Sequence, residues 1–157
     1  GINVIAIDPR EQSLKLAREL GAIETLNPND VDPAELLPVL TNGYGPDVII
    51  ETAGAPGTGL DAANWVRRGG RVVIVGFSHE DATLNFGRAH MAEKTIIGSS
   101  ATSTGGYQKA VNLIANGSVN VKPLISALVP LDKGIEDGFE RMLKPEKDVY
   151  RILVGNG

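Results

Sequence analysis

The chain alternates short, wholly apolar runs with longer stretches in which apolar residues recur every three or four positions. The runs fall at residues 4–7, 48–50, 72–75 and 96–97, with a shorter one at 23–26. None of them alternates apolar with polar positions. Continuous β-branched runs are what a strand covered on both faces requires, so they predict a parallel sheet flanked by helices. The amphipathic stretches between them predict helices near 10–20, 33–41, 57–67 and 87–93. This βαβα order predicts an α/β fold, an open doubly wound parallel sheet, with 23–26 as an added edge strand.

Local punctuation agrees. Asp8-Pro9-Arg10-Glu11 offers a capping acid, proline at the first helical position and glutamate at the third. Gly21 is the expected left-handed terminator of that helix. Asp32-Pro33-Ala34-Glu35 repeats the start signal, and Pro38 then shortens or kinks the helix it opens. Past residue 102 the texture changes. Tyr107, Ala110, Val111 and Ile114 share one helical face closed by Gly117, and "KPLISALVPL" predicts a strand. "LDKGIEDGFERMLKP" predicts a helix capped by Asp132 and stopped near Pro145, followed by a last strand in "VYRILV". The predicted division is therefore 1–102 and 103–157.

Composition narrows the field. Of the 157 residues 42% are apolar and 22% charged, which excludes wholesale disorder. The net charge of −4 is spread among interspersed acids and bases, with no footprint for nucleic acid or an anionic membrane. No apolar run nears the roughly 18 residues of a spanning helix. With no cysteine, disulfides, thiolate zinc sites and a cysteine nucleophile are excluded. A cytoplasmic location is the expectation, and the Asn116-Gly117-Ser118 triplet is read as chance.

Ligands of an open parallel sheet sit beyond the carboxyl ends of its strands. Those ends carry Asp8, then Glu51-Thr52-Ala53-Gly54, then Gly76-Phe77, then Ser99-Ser100. Asp8 can accept two hydrogen bonds from a ribose diol and repel a 2′-phosphate, or it can simply cap its helix. Arg10 can stack on adenine or stand solvated in the first turn. Glu51 is either a ribose or substrate contact or an acid satisfied by nearby backbone. Gly57 to Ala62 matches G-x-G-x-x-A, but the strand after it ends in Gly76 rather than an acid. A tight turn and helix start is the better reading of those residues. His79 and His90 are isolated, without a second ligand at metal spacing.

The ordered series "VIAIDPREQSLKLARELGA", "DVIIETAG", "RRGGRVVIVGF", "EKTIIGS", "YQKAVNLIANGSVNVKPLIS" and "RILV" resembles the zinc-type medium-chain alcohol and polyol dehydrogenases. The resemblance covers nearly the whole chain, but only the C-terminal, coenzyme-binding half of that family. It implies a Rossmann-like domain that here lacks its first strand and glycine-rich loop. That loop, and the catalytic domain with its zinc ligands, would lie upstream. By resemblance Asp8 holds the adenosine ribose, with Arg10 substituting for a base the family carries where Ser13 stands. Thr52, Val75, Gly76, Ser99 and Ala101 line up along the nicotinamide half of the cofactor, and Arg151 or Tyr150 is the pyrophosphate contact. The stretch 83–86, Thr83 to Phe86, resembles an edge strand that pairs two subunits, implying a homo-oligomer.

The implied function is the coenzyme-binding half of an NAD-dependent dehydrogenase that passes hydride between an alcohol or polyol and the nicotinamide. By itself the chain is expected to turn nothing over and to bind NAD weakly, with no metal and no catalytic residue of its own. The rivals are a non-catalytic, self-associating α/β module and a fragment of a zinc-independent quinone or enoyl reductase.

Overall fold

The computed structural model describes residues 2–102, 104–144 and 149–156. The chain divides between Ala101 and Thr102 into two compact units.

The first unit is built of β1 (Ile5–Ile7), α1 (Glu11–Glu19), β2 (Glu24–Leu26), α2 (Pro33–Leu40), β3 (Val48–Glu51), α3 (Thr58–Trp65), β4 (Arg71–Ile74), α4 (Phe86–Met91) and β5 (Thr95–Gly98). Every strand pairing in it is parallel, so the α/β architecture is Rossmann-like as the apolar runs required. The strands form two ladders, β1-β2 and β3-β4-β5, rather than the one continuous sheet expected.

The two predicted helix starts behave differently. Asp32 caps α2 as anticipated, accepting the Ala34 amide at 2.8 Å with Pro33 at the first position. Asp8 takes the Arg10 amide at 2.8 Å, but Arg10 is still extended at φ −101° and ψ 117°, and α1 opens only at Glu11. The Asp8 bond is thus a turn ahead of the helix, not a cap on it. Gly21 ends the helix at φ +109°, a conformation that suits glycine. The helix holding Pro38 spans only eight residues.

Buried apolar residues hold both halves of the unit. Leu14 and Leu16 of α1, Leu26 of β2 and Leu37 of α2 are buried in one half. In the other, Ala62 and Val66 pack on Val72, which is 0% exposed, with Ile49 and Ile74 at the margin. The Lys94 ammonium closes α3 from behind, donating to the Ala63 and Asn64 carbonyls at 2.7 and 3.2 Å. Burial lowers its pKa below the ordinary lysine value. Contrary to expectation the β3-β4-β5 ladder is not covered on both faces, and β5 is exposed along its length. Val48 and Ile50, whose side chains alternate with those of Ile49 and Glu51, remain exposed.

The second unit contains α5 (Gly106–Ala115) and a parallel pair, β6 (Ile125–Pro130) with β7 (Arg151–Gly155). The face of α5 marked by Tyr107, Val111 and Ile114 is exposed. The helix predicted from Asp132 takes another form. Leu131–Lys133 is a 3₁₀ turn, Gly134–Glu140 is π-helical, and Arg141–Leu143 adds a single α turn. Asp132 caps nothing, because its turn precedes the helix by two residues. Gly134 and Gly138 lie against Val154, where an added Cβ would come within 3.1 and 3.6 Å of its methyl groups. Pro145 lies outside the described residues.

Candidate functional site

The carboxyl ends of β3 and β4 meet around one buried acid. Glu51, the last residue of β3, is 6% exposed, and its Oε1 accepts the Ala53 and Gly54 amides, each at 2.9 Å. The same oxygen accepts the Thr58 hydroxyl at 2.8 Å, from the first turn of α3. Its backbone carbonyl accepts the Val75 and Gly76 amides at 2.8 and 3.0 Å. The neighbouring helix N-terminus favours negative charge in this position. Of the two roles open to Glu51 in the sequence, satisfaction by nearby backbone is the one realised.

Two glycines make this packing possible. Gly54 sits at φ +59°, and a side chain on it would collide with the backbone of Phe77. A Cβ on Gly76 would strike the Gly54 amide and lie 2.5 Å from Glu51 Oε2. Backbone therefore packs on backbone with no side chain between, which closes the corner around Glu51. Thr52, Val75 and Gly76 are brought together here. Ser99 joins them at the next strand end, its amide donating to the Ile74 carbonyl at 2.8 Å. Ala101 follows at φ +54°, a left-handed conformation unusual for alanine.

A cavity of about 80 Å³ opens beside this corner, lined by Glu51, Gly54, Thr58, Gly76 and Ser78 among others. Gly57 precedes α3 at φ +83°, so the G-x-G-x-x-A stretch is the tight turn and helix start that its residues suggested. A larger, shallow cleft of about 860 Å³ lies elsewhere, lined by Arg68, Phe86, His90 and Lys94. It adjoins the amino ends of β4 and β5, the wrong end of a parallel sheet for a ligand, and Lys94 is already engaged there.

Asp8 and Arg10 are placed together rather than side by side on a ligand. Asp8 Oδ1 accepts Arg10 Nε at 3.2 Å, and Oδ2 accepts Nη2 at 3.4 Å. The acid expected to hold a ribose is thus half neutralised by a neighbour two residues on. The Ser13 hydroxyl is buried with no hydrogen-bond partner among the described residues.

The remaining sites are dispersed. Arg151 begins β7 in the second unit, exposed and paired with Ile125. The Tyr150 amide donates to the Ser126 hydroxyl at 2.8 Å. The stretch from Thr83 to Phe86 makes no strand in this chain. Residues 83–85 are irregular and Phe86 opens α4, because Asn85 is drawn in as the cap of that helix, its Oδ1 accepting the Arg88 amide at 2.9 Å. His79 meets the Phe77 ring edge-on, 4.8 Å between centroids. Among the described residues no cluster of three or more histidines or acids could hold a metal, so a zinc ion does not fit the donors found here. No helix among them is long and apolar enough to cross a membrane.

Residues 1–116 match the family model described as zinc-binding dehydrogenase. Sorbitol dehydrogenase of Bacillus subtilis is 31% identical over 152 residues, covering 96% of this chain and 42% of that protein. The (R,R)-butanediol dehydrogenase of Neisseria gonorrhoeae is 29% identical over 155 residues, covering 98% of this chain and 44% of the other. Among solved structures, an alcohol dehydrogenase of Aeropyrum pernix superposes with TM-score 0.81 at 28% identity, over 98% of this chain and 43% of its own. A zinc-binding dehydrogenase of Sinorhizobium meliloti 1021 bound to NADP gives TM-score 0.87 at 26% identity, over 98% and 45%. This chain spans less than half the length of the relatives it matches.

Proposed function

This chain belongs to the zinc-binding dehydrogenase family, and we propose that it is the coenzyme-positioning half of an NAD-dependent alcohol or polyol dehydrogenase. The observation that carries this reading is the corner at the carboxyl ends of β3 and β4, where Gly76 and the residues after β3 line an opening of about 80 Å³. Thr52, Val75, Gly76 and Ser99 would hold the nicotinamide side, and Asp8 the adenosine ribose. Bound NAD would supply the hydride chemistry. The residues of this chain orient the coenzyme and keep its backbone contacts fixed. The relatives' names, a sorbitol and a butanediol dehydrogenase, support a polyol as the substrate class.

The free edges of β1 and β3, each an outer strand of its own ladder, and the open Val48–Ile50 face support a site completed by a further βα unit bearing the phosphate loop. The same reading puts the protein in the cytoplasm and a subunit contact near residues 83–86, where Phe86 is exposed.

Arg10 beside Asp8 favours a second reading, in which NADP is accepted as well. Titration of the chain with NAD and NADP tests both. Without a phosphate loop the expected dissociation constant for NAD is on the order of 1 mM or weaker, with NADP weaker again. Addition of zinc and sorbitol or butanediol is expected to give no turnover. Micromolar NAD binding, or zinc-dependent oxidation by this chain, would overturn the positional reading. Equal affinity for NADP would establish the second.

A further inference from the structure

Asp8-Pro9-Arg10-Glu11 carries every residue of a capping box, yet α1 starts only at Glu11. On the coenzyme reading above, we propose that Asn27 is a positioning residue for the adenosine ribose. It holds the Glu11 carboxylate, so that the helix does not extend back and capture the acid that the sugar needs.

In a capping box the acid three residues on reaches back to the amide of the capping residue. Here both halves of that bond are taken by the end of β2. The Asp8 amide donates to the Leu26 carbonyl at 3.3 Å, which continues the β1-β2 ladder past Ile7. Glu11 Oε1 accepts the Asn27 side-chain amide at 2.6 Å. Asn29 adds a third hold, its Nδ2 donating to the Pro9 carbonyl at 3.5 Å. Residues 26–29 therefore grip the turn 8–11 at its start, its middle and its end. Asn27 is itself fixed, because its Oδ1 accepts the Asn29 amide at 3.0 Å. With the box prevented, Arg10 stays extended and the Asp8 side chain keeps 30% of its surface open. Its Oδ2 meets the Arg10 guanidinium at 3.4 Å, a long, exposed contact of the kind a ligand displaces. A helix extended back to Pro9 would instead turn that carboxylate onto its own first amides.

The test is an NMR titration of the whole chain with NAD and, separately, with its analogue lacking the 2′-hydroxyl of the adenosine ribose. The ratio of the two affinities reads the Asp8 contact, and the Cα shifts of Pro9 and Arg10 read how far back α1 extends. Wild type is expected to prefer NAD by about fivefold. Asn27→Ala is expected to lower that preference to about twofold or less, with helical shifts appearing at Pro9 and Arg10. Asn27→Asp alone sets two carboxylates against each other and is expected to do the same. Adding Glu11→Gln exchanges donor and acceptor across that contact and is expected to restore the preference to within about twofold of wild type. In an Asp8→Ala background, Asn27→Ala is expected to leave the ratio where it is, because both act on one contact. A wild type that binds the two ligands equally, or a pair exchange that restores nothing, would overturn the assignment. So would an Asn27→Ala variant with equal losses for both ligands, with no loss, or with α1 unchanged at Pro9 and Arg10. Should Asn27→Ala not fold, Asn27→Asp with and without Glu11→Gln decides it. A wild-type chain that binds neither ligand would instead remove the coenzyme reading, and this assignment with it.

Discussion

The two units of this chain use similar elements to opposite effect. In the first, helices and strands close over Leu14, Leu16, Leu26, Leu37, Val66 and Val72, each nearly lost to solvent. In the second, Val129 and Val149 are the buried aliphatic residues among those described, α5 buries nothing, and Ile135, Phe139 and Leu143 stand exposed at four-residue spacing. Both units have parallel pairing and both have amphipathic helices. Parallel strands are stable when covered, and the first unit supplies more of that cover from its own residues than the second does. The lesson is that a hydrophobic stripe states a need for a partner surface and does not say where that surface comes from.

The sharpest way to break the comparison is to remove packing from each unit in turn. Val72→Ala is expected to cost about 2 kcal/mol, from two lost methyl groups and the cavity behind them. Val129→Ala, with fewer neighbours to leave stranded, is expected to cost about 1 kcal/mol. Denaturant midpoints for the two variants check the ranking, and equal losses would mean that the second unit is as well packed as the first.

A smaller effect is expected at the exposed stripe. Phe139 is 71% exposed, so Phe139→Ser should change stability by less than about 0.5 kcal/mol while reducing concentration-dependent association. Sedimentation velocity at several concentrations, read beside the urea midpoint, separates the two. A large loss of stability would show that the stripe is packed in solution.

The smallest effect concerns Lys94, whose charged form is disfavoured by burial. Its folded pKa lies below the unfolded value, so between the two the unfolded chain binds more protons and stability rises with pH. Below that window the cost of holding the charge is fully present. Relative to Lys94→Met, the wild type should therefore gain stability on going from about pH 7 to about pH 10. Urea midpoints of both proteins at the two pH values check the sign, and a relative loss would contradict it.

Much of the first unit was legible in the residues. Apolar runs located β3, β4 and β5, and Asp32-Pro33 located the start of α2, because these signals act within a few residues of themselves. The helix-cap reading of Asp8 failed for the same reason. Its carboxylate takes the Arg10 amide and guanidinium ahead of α1. At Glu51 both roles were visible but not the choice between them. A strand-terminal glutamate has the same sequence whether it faces a ligand or folds back on the next loop, and only the path of residues 52–58 decides. The π-helical stretch was illegible because it depends on two glycines approaching Val154, about twenty residues further on.

The first unit contains two ladders and no pairing between β1 and β3. Each of these two strands therefore keeps an outer edge whose amides and carbonyls have no ladder partner among the described residues. Such an edge is a template, and a strand added there would extend either ladder without disturbing the pairs already made.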